Sequence, residues 1–172
     1  MWRKMTFKDD MIRFIHFCRY LKIKPSISHV NNRIRLQKIF YILKKYNLEL
    51  NFRFNWYKHG PYSTYLADVY YYAQDYPYSV EKDPSYFTYL EKEKLDHVKE
   101  FLRPIKTNAE LLEYYASLIF IHNDMVFRKD ERNKETYENM IKQSKSGLYY
   151  KFDYKKHISN LQRHDLIPSF KY

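Results

Sequence analysis

Glycine is almost missing from this chain: Gly60 and Gly147 are the only two in 172 residues. That scarcity excludes a Gly-rich phosphate cradle, which needs backbone able to approach the phosphate without a Cβ. Cysteine is scarcer. Cys18 stands alone, so no intramolecular disulfide can staple the fold. It lies in an apolar run and reads as a buried, inert thiol. No stretch approaches the ~18 uninterrupted apolar residues of a membrane span. The basic start, MWRKMTFKDDMIRF, has no continuous apolar signal core. A soluble, cytoplasmic protein is expected, with peripheral membrane attachment left open.

Acidic residues are outnumbered, 20 against 31 Lys and Arg, which leaves a formal charge of +11. Such a surplus suits contact with nucleic acid, an anionic surface or an acidic protein. A solvated, lysine-rich surface accounts for it too, because the basic residues are spread along the whole chain. Tyrosine is abundant: 20 Tyr and 12 Phe supply bulky contact area. They also reconcile 45% apolar residues with a mean hydropathy of −0.75. A buried tyrosine still needs a partner for its hydroxyl.

The length implies a single domain, 1–172, without repeats or a Ser/Gly/Pro-rich linker. Thr6 and Asp9 have capping-box spacing before a helix to about Tyr20. Lys24-Pro25-Ser26 interrupts it. RIRLQKIFYILKK predicts a helix from about Asn32 to Tyr46, with Leu36, Ile39, Phe40 and Leu43 inward and Arg35, Lys38 and Lys45 on a different face. LELNFRFNWY alternates with period two through Leu50, Phe52, Phe54 and Trp56, a strand pattern that ends in the KHGP turn. Ser63 caps a further helix with Leu66, Val69, Tyr70 and Ala73 on one face.

Pro77 and Pro84 flank an irregular or short-strand segment, and the helical pattern resumes around FTYLEKEKLDHVKEFL, most clearly near Glu91–Leu102. Thr107-Asn108-Ala109-Glu110 reads as a second capping box before a core helix. RKDERNKE, 128–135, reads as a solvated loop or helix start. Another helix spans Asn133 to about Lys145, with Gly147 as its C-terminal cap. Asp153 caps a last helix carrying Tyr154, Ile158 and Leu161, which stops near Pro168. The fold class is mainly α, or α+β: a compact helical domain of about six or seven helices with a small β element. A winged-helix-like C-terminus is the variant reading.

Arg35-Leu36-Gln37-Lys38 and its helix, followed by Phe54-Asn55-Trp56-Tyr57-Lys58-His59-Gly60-Pro61-Tyr62-Ser63 and Leu66, form an ordered pair of motifs. The pair resembles the YwgA-like family and the related Panacea domains of SocA-like antitoxins, most clearly over about 33–72. The resemblance implies a mostly helical domain found in bacterial, archaeal and mobile-element proteins. It also implies an antitoxin-like or regulatory interaction protein, and it carries no enzymatic activity across to this chain. The Tyr and Lys content departs from ordinary bacterial members, so the partner does not carry across.

Each motif has a bland and a sharp reading. Gly60, Pro61 and Ser63 form a corner in which Trp56 packs between the flanking helices; alternatively, Lys58, His59 and Tyr62 face a partner or a phosphate. Arg33, Arg35, Lys38, Lys44 and Lys45 form a basic helix suited to phosphate contact, or a merely amphipathic one. Lys155, Lys156 and Arg163 give the last helix a DNA-contact reading, with Phe170-Lys171-Tyr172 as a short wing edge; alternatively that helix closes the core.

His157 and His164 are seven apart, too few ligands for a zinc centre. His122-Asn123-Asp124 reads as a polar helix terminus. Glu110 and Glu113 share a face and suit carboxylate chemistry if enclosed; otherwise one caps the helix and the other is solvated. Ser117 and Cys18 lack the signature of an activated nucleophile. No cofactor, metal or catalytic residue is expected. A non-enzymatic interaction protein with a protein partner or a second copy leads, a basic nucleic-acid-binding regulator follows, and an enzyme with a noncontiguous site comes third.

Overall fold

A computed structural model describes residues 6–76, 80–125 and 132–169. Eight helices and one two-stranded sheet are formed among them: α1 (Phe7–Tyr20), α2 (Val30–Lys45), β1 (Asn55–Tyr57), β2 (Gly60–Tyr62), α3 (Thr64–Ala73), α4 (Tyr89–Leu102), α5 (Ala109–Asn123), α6 (Lys134–Ser144), α7 (Ser146–Lys151) and α8 (Tyr154–Arg163). The mostly helical domain with a small β element is thus the observed architecture. The six-residue α7 is the element that lay below the resolution of the sequence pattern. Among the described residues, no helix is long and apolar enough to cross a membrane.

Local chemistry sets most helix starts. Thr6 and Asp9 cap α1 reciprocally, and Thr88 and Glu91 do the same for α4. Ser63, Asn133 and Asp153 each accept one backbone N–H of the first turn of α3, α6 and α8. At α5 the expected cap is displaced by one residue. Asn108, not Thr107, accepts from the Leu111 N–H. The reciprocal box therefore fails, because the third helical residue is Leu111 rather than Glu110. Gly147 is also not a C-cap: it lies inside α7, and α6 ends at Lys145.

The core is built on α5. Its residues from Leu112 to His122 are all buried, as expected for a helix surrounded by protein. α2 packs chiefly on α5, and its residues 36–43 are buried without interruption. α1 lies on α3, while α6, α7 and α8 close the other flank of α5. Cys18 is buried, and burial pushes its thiol far up, so the inert reading fits. Two uncharged-looking faces thus hold polar residues, Gln37 and Lys38 on α2 and Glu113 and Ser117 on α5. All four surround the hairpin.

That hairpin is smaller than the alternation predicts. β1 and β2 pair antiparallel over three residues, Asn55 with Tyr62, Trp56 with Pro61 and Tyr57 with Gly60. Phe52 is buried while Asn51 and Arg53 are exposed, so the inward-outward alternation holds. Residues 50–54 nonetheless have no ladder partner. Period two reports one-sided burial, whereas a strand also needs a second strand long enough to pair with it.

At the C-terminus, Leu166 and Ile167 are buried in bends after α8 and not in a strand. The proposed wing edge, 170–172, lies outside the described residues, as do Pro77 and the first half, 128–131, of the 128–135 run.

Candidate functional site

The two halves of the motif pair meet. Gln37 reaches from α2 to Ser63 with both ends of its carboxamide. Nε2 donates to the Ser63 carbonyl at 2.9 Å, and Oε1 accepts the Ser63 N–H at 2.9 Å. Lys38 Nζ donates to the Pro61 carbonyl at 2.5 Å. From the far side, Lys145 Nζ donates to the Lys58 carbonyl. Three hairpin carbonyls, at Lys58, Pro61 and Ser63, each receive a side-chain donor. A strand edge with no further strand to pair with has its acceptors satisfied in this way.

Gly60 is where the hairpin approaches α5. Its φ is +77°, in the left-handed region. A Cβ built there would lie 2.6 Å from Ser117 Oγ. Glycine is needed twice over, for backbone angle and for space. The sequence suggests that Trp56 packs between the flanking helices; the contacts the structure shows for it are to α5 and to Lys145. Its ring packs on Phe120 of α5 at 5.4 Å, with Lys145 Nζ 5.5 Å from the ring centroid.

Behind the hairpin lies a charged cluster. Glu113 Oε1 accepts from Lys145 Nζ at 2.7 Å, and Glu113 Oε2 is 3.0 Å from His59 Nδ1. Glu110 takes a separate course: it is exposed and pairs with Lys151. The two carboxylates therefore do not converge, and Glu113 is buried in an ion pair where a solvated or capping role was expected. Ser117 Oγ is buried, with no hydrogen-bond partner among the described residues.

In front lies a recess of about 360 Å³ between α2, the hairpin and the start of the second half of α3. α2 supplies Ile34, Gln37 and Lys38. The hairpin supplies Tyr57, His59 and Tyr62, and α3 supplies Tyr70 and Tyr71. Among the described residues, no carboxylate lines it. The volume falls near the lower end of the ~300–1,000 Å³ seen for small-ligand sites. Lys38 is 1% exposed. Burial brings its pKa down to about 7; Glu113 acts against that shift, and Lys145 adds to it. Burial also pushes the Tyr70 phenol up to about 12.

Lys38 therefore does not belong to a solvent-facing basic stripe, and its α2 companions are also engaged within the chain. Arg33 donates to the Ile27 carbonyl and Arg35 to the Lys106 carbonyl, both at 2.7 Å. Lys44 donates to the Phe52 carbonyl. Lys45 pairs with Asp124 and lies 5.2 Å from the Tyr41 ring centroid. The basic helix is a set of clamps. On α8, in contrast, Lys155, Lys156 and Arg163 are exposed.

Among the described residues, no group of three or more His, Cys, Asp or Glu side chains is placed to hold a metal ion. His157 Nδ1 meets the Tyr115 hydroxyl at 2.7 Å, while His164 packs edge-on against Phe101, so this pair does not converge. His122 is buried at the polar end of α5, its Nδ1–H donating to the Leu118 carbonyl at 2.7 Å.

Three participants, Glu113, Ser117 and Lys145, are not assigned to this site by the sequence. Glu113 and Ser117 did leave a trace: a polar pair at i, i+4 in the otherwise apolar LLEYYASLIFIH. Lys145 left none, since its partner is 32 residues away.

Fold and site together define a small helical domain whose two central helices clamp a short hairpin beside an apolar, carboxylate-free recess. No protein-family model, curated protein or solved structure matches the chain.

Proposed function

We propose that this chain is a non-enzymatic cytoplasmic interaction module, antitoxin-like or regulatory, that docks a protein partner over the recess between α2 and the hairpin. The observation that carries this reading is the rim. Val30, Tyr57 and Tyr71 border the recess and remain 54%, 55% and 49% exposed. Half-exposed aromatics around an apolar hollow are the composition of a protein-binding surface. The polar groups behind them support the same reading. Gln37, Lys38 and Lys145 each donate to a backbone carbonyl of this segment, which holds the recess wall in shape. The resemblance of the motif pair to YwgA-like and Panacea domains points in the same direction.

The test is co-expression with the products of neighbouring genes, followed by capture at native salt. A captured partner is expected to be lost at least about tenfold on combining Tyr57→Ser with Tyr71→Ser, because hot-spot aromatics each contribute ~2 kcal/mol or more. Tyr89→Ser, 85% exposed and outside the recess, should leave capture intact. Retention by the double variant would count against the reading. A second copy of the chain is the competing occupant, and a dimer mass that reverts to monomer in the double variant identifies it.

A second reading, nucleic-acid binding, has its own observation. Lys155, Lys156 and Arg163 are exposed on α8, and their side chains have no hydrogen bond or ion pair among the described residues. Labelled duplex DNA and RNA should then bind more weakly as salt rises. Replacing the three by Glu should reduce the log–log salt slope by about 0.9 for each phosphate contact removed. Absence of binding at low salt rejects it.

A further inference from the structure

We propose that the occupant of the recess is an acidic peptide segment of the partner, one carboxylate reaching the Lys38 wall while a neighbouring apolar side chain rests on Tyr57 and Tyr71. This rests on reading the recess as a docking site and adds the chemistry of what docks.

The first support is charge. The lining includes Arg33, Lys38, Lys58 and His59, and no Asp or Glu. The one carboxylate close behind, Glu113, is already engaged by Lys145 and His59. A chain of net charge +11 favours an acidic partner at long range as well.

The second support is the hydrogen-bond balance of Lys38. An ammonium carries three donors. Among the described residues, Nζ of Lys38 has one acceptor, the Pro61 carbonyl. A buried cation short of acceptors is costly, and an incoming carboxylate supplies both the acceptor and the opposite charge. Such a pair, formed away from water, is stronger than a surface one.

The third is shape. A free small anion would leave the half-exposed rim of Val30, Tyr57 and Tyr71 without a function. A peptide covers it.

The arrangement makes docking sensitive to pH. The charged groups acting on Lys38 are Glu113 from α5 and Lys145 from the α6–α7 junction; His59 and Tyr62 of the hairpin and Tyr70 of α3 line the same recess. With the Lys38 pKa at about 7 in the empty recess, a carboxylate that raises it must draw in a proton at higher pH. Affinity should fall as pH rises from about 7, approaching tenfold per pH unit.

The experiment is selection from a random-peptide phage library on the full chain near pH 7. Enriched peptides should place Asp or Glu beside an aromatic or aliphatic residue. A synthetic copy should lose at least about tenfold when its acids become amides, the range expected for a buried charge-assisted contact. Its affinity should weaken above about pH 7 in the wild type and become pH-independent in Lys38→Met. If Lys38→Met does not fold, Lys58→Glu, at an exposed rim position, replaces it and should weaken binding. Lys155→Glu with Lys156→Glu should change nothing.

Peptides that depend on Tyr57 and Tyr71 but bind equally as amides would overturn the acidic chemistry and leave the docking reading standing. Equal loss in the α8 variant would overturn the proposal in favour of general electrostatics. No enrichment, or enrichment indifferent to Tyr57 and Tyr71, would overturn both.

Discussion

Gly60→Ala is expected to cost roughly 2–5 kcal/mol of folding stability, whereas a Cβ at Gly147 meets nothing within 4 Å. Two terms add. A left-handed φ of +77° penalises a Cβ, by about 1–2 kcal/mol. That Cβ would also meet Ser117 Oγ at 2.6 Å, and overpacking of this kind costs about 1–3 kcal/mol. The second term has a specific remedy. In Ser117→Ala the hydroxyl is gone, and the next atom from residue 117 is its Cβ, 3.8 Å away. Ser117 Oγ is buried, with no hydrogen-bond partner among the described residues, so its removal should by itself be neutral or slightly stabilising.

The double variant should therefore recover the overpacking part of the loss and keep the backbone part. Urea unfolding of the four proteins in a double-mutant cycle measures this directly. A Gly60→Ala protein as stable as the wild type would refute the close approach. A full loss that Ser117→Ala does not relieve would place the strain in the backbone alone. The approach matters for the site because the clamps of Gln37, Lys38 and Lys145 all act on this hairpin. A hairpin pushed off α5 would loosen the wall of the recess.

How far these features could be read from the sequence depended on how local their causes are. Thr6 with Asp9, Ser63 and Asp153 cap their helices through contacts three residues away, and such contacts are written in short spacings. The α5 cap failed because two adequate capping residues stand side by side. Thr107 would need Glu110 to complete its box, whereas Glu110 pairs instead with Lys151, 41 residues on.

Gly147 misled for a related reason. The end of α6 is set by Lys145, whose side chain is directed inward to Glu113 and to the Lys58 carbonyl, so no left-handed glycine is required. Lys38 is the most instructive case. Charge on a one-sided amphipathic helix marks the solvent face. α2 is buried on all sides between residues 36 and 43. There a lysine must find a carbonyl, and the carbonyl comes from a hairpin whose pairing no short-range pattern reveals. The motif pair was legible as two neighbouring marks. That one mark clamps the other became visible only with α5 in place.

Replacing that lysine should give a pH signature that no surface lysine would produce. Burial brings the folded pKa of Lys38 down to about 7, against the ordinary lysine value of 10.5. Between these values the unfolded chain holds a proton that the folded chain has released. Stability must then rise with pH across this window, since the unfolded state binds more protons. The cost of burying the charged amine is fully present below about pH 7 and is removed as pH climbs toward 10.5.

From pH 7 to 9 the gain is roughly 2 kcal/mol, at ~1.4 kcal/mol per pH unit once the folded amine is neutral. Lys38→Met keeps the stem and loses the titration, so the stability difference between wild type and variant should move by that amount in favour of the wild type. Groups common to both proteins cancel in the difference, including the buried His122 and His157, whose pKa values burial lowers below the usual histidine range. Tyrosines raised by burial, such as Tyr41 and Tyr114, titrate above the window.

Denaturant unfolding of both proteins at several pH values gives the difference, and the 13Cε shift of Lys38 followed by NMR locates its titration independently. A gap that stays flat from pH 7 to 9, with the Cε resonance unmoved, would mean that the amine keeps its proton. The Pro61 carbonyl contact would then have to hold a fully charged lysine in the core, with Glu113 outweighing desolvation.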